Sequence, residues 1–336
     1  MFRVALVGCG KMAQTWADYA SKRTDVRVKA LVDVNRDNAI AFNRKFGMQA
    51  SVYQDHTTAL EENRIDVVLN VTPPEYHFAI TMDALNRGCH VFSEKPMAHT
   101  LEQCTKLAEQ ARKSDRVFAI MQNRRYLASI RSCAAMVSSG LIGKLGFTCV
   151  DYFMGRANMG GHYQAMASPL LLDMAIHTFD EARLLSGSNA TSVVAYEFSH
   201  PGTDFLGNDS AVCLFEMEDG SVFSYRGCWS APGANTPSQG GWRITGDNGT
   251  IIWDGKSYPY AELRGPIEEG FISVLRRVDG DMVYAGQESY SGCLDAMFAS
   301  VIEGRKPETS CSDNLNSMKM VFAAVKSART GEKVYL

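Results

Sequence analysis

Two side chains with acid–base chemistry lie close together in the second half of the chain. Asp173 and His177 are four residues apart in a segment with helical periodicity, so they face one side of that helix. Ser168-Pro169 precedes them and is typical of a helix start, since serine caps and proline suits the first turn. A carboxylate beside an imidazole could transfer protons near neutral pH. The same pair could also be a buried histidine satisfied by its own aspartate, and the helix alone leaves both interpretations open.

The segment Glu94-Lys95-Pro96 carries a third such side chain, directly after the short apolar run Cys89–Ser93. If that run is a strand of a parallel sheet, Lys95 lies beyond its carboxyl end, where α/β proteins bind their ligands. An ammonium there could stabilise negative charge developing on an oxygen. The alternative is an ordinary surface lysine. Pro96, which restricts the local chain, and the polar neighbour Glu94 favour a ligand site.

A glycine-rich turn near the N-terminus is typical of dinucleotide binding. The apolar run Phe2–Val7 leads into Gly8-x-Gly10-x-x-Ala13, and a helical pattern follows. Gly8 allows the tight turn, Gly10 lets a pyrophosphate approach the backbone, and Ala13 lets the helix pack close to the strand. The helix N-terminus then offers free amides to phosphates. The context of strand, turn and helix makes the motif specific.

An acidic residue ends the next predicted strand, Val26–Asp33. Asp33 can accept hydrogen bonds from both ribose hydroxyls of NAD, and it would repel the additional phosphate of NADP. Arg36 complicates this prediction, because its guanidinium could neutralise that phosphate; it could equally be a solvated residue at a helix start. We therefore predict NAD as the cofactor and keep NADP as the alternative.

The elements around these residues alternate between short apolar strands and helices up to about residue 122. Thr58 with Glu61, and Thr100 with Gln103, have the spacing of capping boxes and predict two helix starts. The strands are continuous apolar runs, as strands buried on both faces must be. We predict a Rossmann domain with a parallel sheet in residues 1–122.

The pattern changes near residue 123. Asp219-Gly220 and Asn248-Gly249 lie between apolar segments and supply the positive φ values that tight hairpins need. We predict an α+β domain over residues 123–336, with a largely antiparallel open sheet, for substrate binding and oligomerisation. We leave open that its C-terminal helix packs back on the first domain. The predicted strands are 145–154, 191–199, 209–216, 222–229, 242–245 and 250–253, and the predicted helices are 130–139, 169–186, 291–303 and 313–329.

Composition argues against several partners and sites. The 336 residues include 34 Lys and Arg against 37 Asp and Glu, a net charge of −3 without a basic patch, so nucleic acid is not an expected partner. We expect no membrane span, because no run approaches ~18 apolar residues, and no signal peptide, because the first residues lack a charged region. Nine scattered cysteines without CxxC pairs predict no disulfide framework, no metal site and a reducing cytoplasm.

Taken together, these motifs make the chain similar to a known family. The chain resembles the Gfo/Idh/MocA oxidoreductases, which include glucose–fructose oxidoreductase, inositol dehydrogenases and many sugar dehydrogenases. The resemblance spans nearly the whole chain, and the Glu-Lys-Pro and Asp-x-x-x-His segments are its most specific parts. It implies NAD(P)-dependent hydride transfer between nicotinamide and a secondary alcohol or ketone of a sugar, a sugar derivative or a cyclitol. The motifs that carry it are Gly8–Ala13, Thr72-Pro73-Pro74 with His77, Glu94-Lys95-Pro96, Asn123-Arg124-Arg125-Tyr126 and Leu172–His177.

The resemblance also implies residue roles. Lys95 would hydrogen-bond the reacting hydroxyl, His177 would accept or donate its proton, and Asp173 would orient the substrate or the imidazole. His77 either lines the cofactor cleft or lies on a helix surface. The expected cofactor contacts are Gly8, Gly10, Lys11, Met12, Ala13, Asp33, Arg36, Thr72, Pro73, His77, Glu94, Lys95 and Asn123. The expected substrate contacts are Lys95, Arg125, Arg156, Asn158, His162, Tyr163, Asp173 and His177.

Two other functions stay open. Some proteins that resemble this family hold NAD tightly and cleave glycosidic bonds through transient oxidation and elimination. A non-catalytic, cofactor-binding regulator is the other, and the intact Lys95, Asp173 and His177 argue against it. By resemblance we expect a homodimer or homotetramer, because the open sheet would otherwise expose an apolar face. The sequence does not name the substrate, the reacting carbon or the direction.

Overall fold

The structure, a computed structural model, describes residues 1–155, 161–265 and 274–336, apart from the side chain of His162. Contacts within the chain divide it into two compact units. One contains Met1–Asn123 and Gln287–Met318, and the other contains Arg124–Gly286 and Lys319–Leu336. The sequence had placed the whole of 123–336 in the second domain, whereas the contacts group Gln287–Met318 with the N-terminal unit. The functions assigned to the two domains stay predictions.

Six parallel strands form the sheet of the first unit. Their order is β3-β2-β1-β4-β5-β6, which is the order of the dinucleotide-binding fold. The order reverses between β1 and β4, and a ligand crevice is expected at the carboxyl ends of those two strands. The parallel Rossmann sheet is therefore confirmed. The strands are β1 (Phe2–Val7), β2 (Val26–Val32), β3 (Ser51–Tyr53), β4 (Val67–Asn70), β5 (His90–Ser93) and β6 (Phe118–Ile120).

The helices begin where local capping chemistry allows. Asp55, and not Thr58, caps the third helix by accepting a hydrogen bond from the Thr58 amide at 2.8 Å, so the capping box predicted there was wrong. Thr100 does cap the fifth, accepting from the Gln103 amide at 3.2 Å. The helices of the described ranges are α1 (Ala13–Lys22), α2 (Arg36–Phe46), α3 (His56–Glu62), α4 (Pro74–Asn86), α5 (Leu101–Ser114), α6 (Ala128–Ser138), α7 (Gly161–Ala165), α8 (Ala175–Ser186), α9 (Ser289–Glu303) and α10 (Cys311–Thr330).

Helix α9 explains why a late segment belongs to the N-terminal unit. The ring of Phe298 lies 5.3 Å from Phe2 and 5.0 Å from Phe92, both on strands of the parallel sheet. Asp295 accepts a hydrogen bond from the Tyr19 hydroxyl of α1 at 2.6 Å. The aromatic contacts and this partly buried hydrogen bond fix α9 against β1, β5 and α1.

A nine-stranded sheet forms the second unit. Its order is β14-β13-β12-β11-β7-β10-β9-β8-β15. Among the described strands, β7 and β10 pair in parallel and the other neighbours are antiparallel. The predicted, largely antiparallel sheet is confirmed. The strands are β7 (Leu145–Phe153), β8 (Ala190–Phe198), β9 (Ser210–Met217), β10 (Val222–Cys228), β11 (Gly241–Gly246), β12 (Gly249–Trp253), β13 (Tyr260–Arg264), β14 (Leu275–Asp279) and β15 (Val334–Tyr335).

Helix α8 packs on one face of this sheet through Phe179. The Phe179 ring lies 4.9 Å from Phe215 and 5.3 Å from Tyr225, both edge-on. Phe215 stacks on Phe223 of the next strand at 5.6 Å, which in turn stacks on Trp242 at 6.1 Å. This aromatic row fixes the helix that carries His177.

Candidate coenzyme and catalytic site

The glycine-rich turn after β1 contains two glycines, and each is required for a different reason. Gly8 has a φ of +92°, and an added Cβ would lie 2.6 Å from the Val71 carbonyl oxygen, so the fold itself requires glycine there. An added Cβ at Gly10 would meet no described atom within 4 Å. The open side of Gly10 fits the close approach of a phosphate. Met12 precedes α1, and its own side chain forms no cap hydrogen bond. The amides of Gln14 and Thr15 donate to the carbonyls of Lys11 and Met12 at 3.3 and 3.2 Å, so an anion at this helix start would meet the amides that precede them.

Asp33 follows β2 and is partly engaged with the backbone. Its Oδ2 accepts from the Cys9 amide at 2.9 Å, and its Oδ1 accepts from the Asn35 amide at 2.9 Å. A carboxylate has about four acceptor positions, so capacity remains for ribose hydroxyls. Arg36 is exposed at the start of α2. The bond to Cys9 fixes the carboxylate beside the glycine-rich turn.

His77 is buried in α4, and the helix-surface alternative is therefore wrong. Its Nδ1 lies 2.7 Å from the Pro96 carbonyl oxygen and its Nε2 lies 2.8 Å from the Thr72 carbonyl oxygen. Both ring nitrogens thus face the protein's own backbone, which argues against the predicted direct contact with a cofactor. Burial lowers the pKa of His77, an effect that the two carbonyl groups oppose. Thr72 itself donates its hydroxyl to Asn70 Oδ1 at 2.7 Å.

The Glu94-Lys95-Pro96 segment after β5 is built into the first unit. Glu94 is 7% exposed, and its Oε1 accepts from the Trp16 indole at 2.8 Å. Its Oε2 accepts from the Lys95 amide at 3.3 Å. Lys95 is half-buried, Pro96 is buried, and the peptide bond between them is cis. These contacts argue against an ordinary surface lysine.

Three other residues predicted to contact the cofactor, Lys11, Pro73 and Asn123, also belong to the first unit. Lys11 and Pro73 are exposed, the first in the turn before α1 and the second in the turn before α4. The side-chain amide of Asn123 donates to the Ser289 hydroxyl at 3.0 Å, within the same unit. Asn123 therefore has a structural partner beyond the role predicted for it.

Asp173 and His177 both belong to the second unit and are both buried, 7% and 8% exposed. The predicted continuous α-helix from residue 169 was wrong at its start, because Leu170–Met174 is a π-helical turn and α8 begins at Ala175. Ser168 does not cap this segment; its hydroxyl donates to Glu197 Oε2 at 3.0 Å. Single π turns are frequent at functional sites, since they re-aim side chains within a helix.

Two buried acids on α8, Asp180 and Glu181, form a charge cluster with Arg124 and Arg125, and sequence reasoning did not single out these acids. Arg125 donates through Nε and Nη2 to the two oxygens of Asp180 at 2.6 and 2.7 Å, and both side chains are at most 5% exposed. This bidentate pair argues against the predicted substrate contact of Arg125. Glu181 is fully buried, and burial raises its pKa to about 8. Nη1 of Arg124 lies 3.9 Å from its Oε2.

The predicted substrate loop is described only in part. Arg156, Asn158 and the side chain of His162 lie outside the described residues. Tyr163 in α7 is 38% exposed, and its ring lies edge-on to Trp229 at 6.1 Å. An exposed tyrosine that packs edge-on against a buried tryptophan is a suitable contact for a sugar ring.

Comparison with known families identifies the family to which the chain belongs. A family model described as an oxidoreductase family with an NAD-binding Rossmann fold matches residues 2–122. A second model, for the C-terminal alpha/beta domain of the same family, matches residues 134–336. The chain belongs to the Gfo/Idh/MocA oxidoreductase family. This Gfo/Idh/MocA protein is therefore an NAD-binding oxidoreductase, as its motifs predicted.

Individual relatives of this Gfo/Idh/MocA protein include enzymes named for sugars and cyclitols. A D-glucoside 3-dehydrogenase from Escherichia coli (strain K12) is 32% identical over 60% of this chain and 59% of its own length. A myo-inositol 2-dehydrogenase from Thermotoga maritima is 27% identical over 57% of each chain. The chain thus matches somewhat less than 60% of the length of these two curated relatives.

The fold extends to solved structures. An oxidoreductase from Agrobacterium radiobacter, solved in complex with NAD+, L-tartaric acid and magnesium, superimposes with a TM-score of 0.85 over 99% of this chain and 98% of its own. At 21% identity this likeness concerns the fold. Every helix in the described part of the chain is too short or too polar to cross a membrane.

Proposed function

We propose that this protein is an NAD-dependent dehydrogenase or reductase that acts on a secondary alcohol or ketone of a sugar, a sugar derivative or a cyclitol. The observation that carries the proposal is the fixed Glu94-Lys95-Pro96 segment at the carboxyl end of β5, within a dinucleotide-binding sheet. A half-buried ammonium at that edge suits a substrate oxygen beside a bound nicotinamide. The two named relatives act, by their names, on a glucoside and on an inositol.

In this proposal the protein's own residues bind the substrate oxygen and transfer the substrate proton. When NAD is bound, its nicotinamide accepts or donates the hydride. Lys95 donates a hydrogen bond to the substrate oxygen and stabilises negative charge that develops on it. His177 takes the hydroxyl proton, for which an imidazole is suited near neutral pH. Asp173 orients the imidazole or a neighbouring hydroxyl of the substrate.

Coenzyme preference in the proposal depends on Asp33. Its carboxylate, held by the Cys9 and Asn35 amides, would accept hydrogen bonds from the adenosine ribose of NAD and repel the phosphate of NADP. Arg36, exposed nearby, is the residue that could reverse this preference. We expect kcat/KM to favour NAD, and a preference for NADP of about tenfold or more would contradict this part of the proposal.

Assembly into a homodimer or homotetramer is also part of the proposal. Large apolar side chains are exposed on neighbouring strands of the open sheet: Tyr196 on β8 is 68% exposed and Leu214 on β9 is 49% exposed. A second copy of the sheet would cover them. A monomer by light scattering at micromolar concentration would contradict it. A cytoplasmic location completes the proposal.

The central experiment is a substrate panel with active-site variants. Sugars, glycosides and cyclitols are scored by NADH absorbance with NAD and with NADP. For a substrate that is turned over, Lys95→Ala and His177→Ala should each lower kcat by about 10²-fold or more, while NAD still binds. Lys106→Ala, an exposed lysine paired with Glu102 on α5, is the matched control and should retain activity.

Two outcomes would change the conclusion. Near-normal turnover in both variants would refute the assignment of Lys95 and His177. Cleavage of a glycoside without net formation of NADH would instead favour an NAD-dependent glycosidase that works through transient oxidation.

A further inference from the structure

The residues on both sides of Lys95 are held by buried side chains from two different helices. Trp16 of α1 holds Glu94, and His77 of α4 lies against the carbonyl of Pro96. We propose that Trp16 and His77 are positioning residues, which fix the main chain of the Glu-Lys-Pro segment and thereby the place of the Lys95 ammonium for catalysis. The inference rests on the proposed function of Lys95 and assigns these two further residues to it.

Trp16 connects the coenzyme helix to the lysine. Its side chain is fully buried, so its indole N–H requires a partner inside the protein. That partner is Oε1 of Glu94 at 2.8 Å. The other oxygen of Glu94 accepts from the amide of Lys95 at 3.3 Å. One carboxylate thus bridges α1, which begins at the glycine-rich turn, and the backbone of Lys95.

His77 connects the ends of two neighbouring strands. Its ring lies between the carbonyl of Thr72, after β4, and the carbonyl of Pro96, after β5. A neutral imidazole has one N–H, so it donates to one of these two oxygens at a time, whereas an imidazolium donates to both. Burial lowers the pKa of His77, and the charge of Lys95 acts in the same direction, which favours the neutral ring. The neutral ring can therefore donate its N–H to only one of the two carbonyls.

The Thr72 side of this arrangement has its own support. The Thr72 hydroxyl donates to Asn70 Oδ1 at 2.7 Å, and the Asn70 amide donates to the Thr81 hydroxyl of α4 at 3.2 Å. The Asn70 amide also lies 3.4 Å from the main-chain carbonyl of His77, so the loop after β4 is fixed without the His77 ring. The loop after β5 has His77 as its link to α4 at Pro96. We therefore infer that the neutral ring donates its N–H to the Pro96 carbonyl.

Trp16→Phe tests the first link, because it keeps an aromatic ring and removes the N–H together with one ring of the indole. We expect kcat to fall by about tenfold while KM for NAD and the dissociation constant of NAD change by less than about threefold, since displacement of a catalytic group affects the transition state most. Trp253→Phe is the matched control: its buried indole also donates a hydrogen bond, to the Ser257 carbonyl at 2.9 Å, in the other unit. The control should keep its kcat. An unchanged kcat in Trp16→Phe would overturn the proposal.

A double-mutant cycle separates positioning of Lys95 from general damage to the fold. If Trp16 acts through Lys95, Trp16→Phe should lower kcat by less than about twofold in a Lys95→Ala background. A further tenfold loss in that background, which indicates independent effects, would refute the positioning role. If Lys95→Ala alone keeps full turnover, the proposed function of Lys95 has failed, and that result is distinct from a failure confined to Trp16.

Two variants of His77 test the second link and serve as each other's control. The amide nitrogen of asparagine can reach the place of Nδ1, and that of glutamine the place of Nε2. His77→Asn can therefore keep the bond to Pro96, and His77→Gln the bond to Thr72. Both lose the imidazole, so structural damage affects both. We expect the kcat of His77→Asn to exceed that of His77→Gln by about fivefold or more, and equal or reversed values would overturn the proposal.

Discussion

The buried acid Glu181 leads to a quantitative prediction about how the free energy of unfolding depends on pH. The residue lies in α8, fully buried, and neither carboxylate oxygen has a hydrogen-bond partner among the described residues. Burial raises its pKa from 4.5 to about 8, which Arg124 opposes and Asp180 reinforces. Replacement by glutamine keeps the shape of the side chain and removes its titration. The comparison of Glu181→Gln with the natural protein therefore isolates the pH dependence that this one acid contributes.

The sign and size follow from proton linkage. Between pH 4.5 and 8 the folded protein holds a proton on Glu181 that the unfolded chain has lost, so its contribution to the free energy of unfolding falls as pH rises. Each pH unit inside this window corresponds to about 1.4 kcal/mol. From pH 5 to pH 7 the natural protein should therefore lose about 3 kcal/mol relative to Glu181→Gln. The contribution is constant below the window and changes little above it.

Urea unfolding at pH 5, 6 and 7 provides the measurement. The difference in the free energy of unfolding, Glu181→Gln minus natural protein, should grow steadily over this range. Glu102→Gln, which removes an exposed acid on α5, is the control and should show no such growth. A difference for Glu181→Gln that stays constant within about 1 kcal/mol would refute the reasoning that burial keeps this acid protonated.

Four further substitutions test the fold and the coenzyme site. Asp33→Ala should raise KM for NAD by about tenfold and reduce the discrimination against NADP, because a charged acceptor for the ribose is lost; equal discrimination in both proteins would contradict this. Gly10→Ala should weaken NAD binding, measured by calorimetry, without a change in melting temperature, whereas Gly8→Ala should lower the melting temperature because its Cβ meets the Val71 carbonyl. Phe179→Ala should cost about 3–5 kcal/mol in urea unfolding, since its ring anchors α8 on the aromatic row; a loss below about 1 kcal/mol would argue against that anchor.

The fold was predictable where local and long-range signals agree. Residues 4–7 and 67–69 are continuous apolar runs, and both lie buried in central strands of the sheet. Thr100 has a helix-capping spacing and caps its helix. Strands Ser51–Tyr53 and Val334–Tyr335 carry no comparable pattern, because they are only three and two residues long and depend on partners far along the chain.

The π-helical turn at Leu170–Met174 shows a different limit. Its sequence has ordinary helical periodicity, and the capping chemistry of Ser168 pointed to a regular start. The Ser168 hydroxyl is instead taken by Glu197 on β8, 29 residues away. A tertiary hydrogen bond thus overrides a local preference, and no pattern within the helix could have signalled it.

For the site as well, the sequence indicated candidate residues but not the contacts that hold them. The motif made Lys95 a catalytic candidate, but its supports are distant: Trp16 lies 78 residues before Glu94, and His77 lies 19 residues before Pro96. From sequence a tryptophan in an amphipathic helix indicates core packing, and its N–H goes unnoticed. Arg125 illustrates the converse, because a guanidinium that looks available for a substrate is paired with Asp180, 55 residues later.

These observations separate residues that the fold requires from residues that only a ligand would require. Gly8 belongs to the first group, since its own neighbour, the Val71 carbonyl, excludes a side chain. Gly10 belongs to the second, since the described structure leaves space where its side chain would be. The motif placed His77 among the residues that contact a ligand, but it belongs to those that the fold requires, because both its nitrogens face backbone carbonyls. A family motif therefore marks both kinds of residue alike, and the contacts of each residue decide which kind it is.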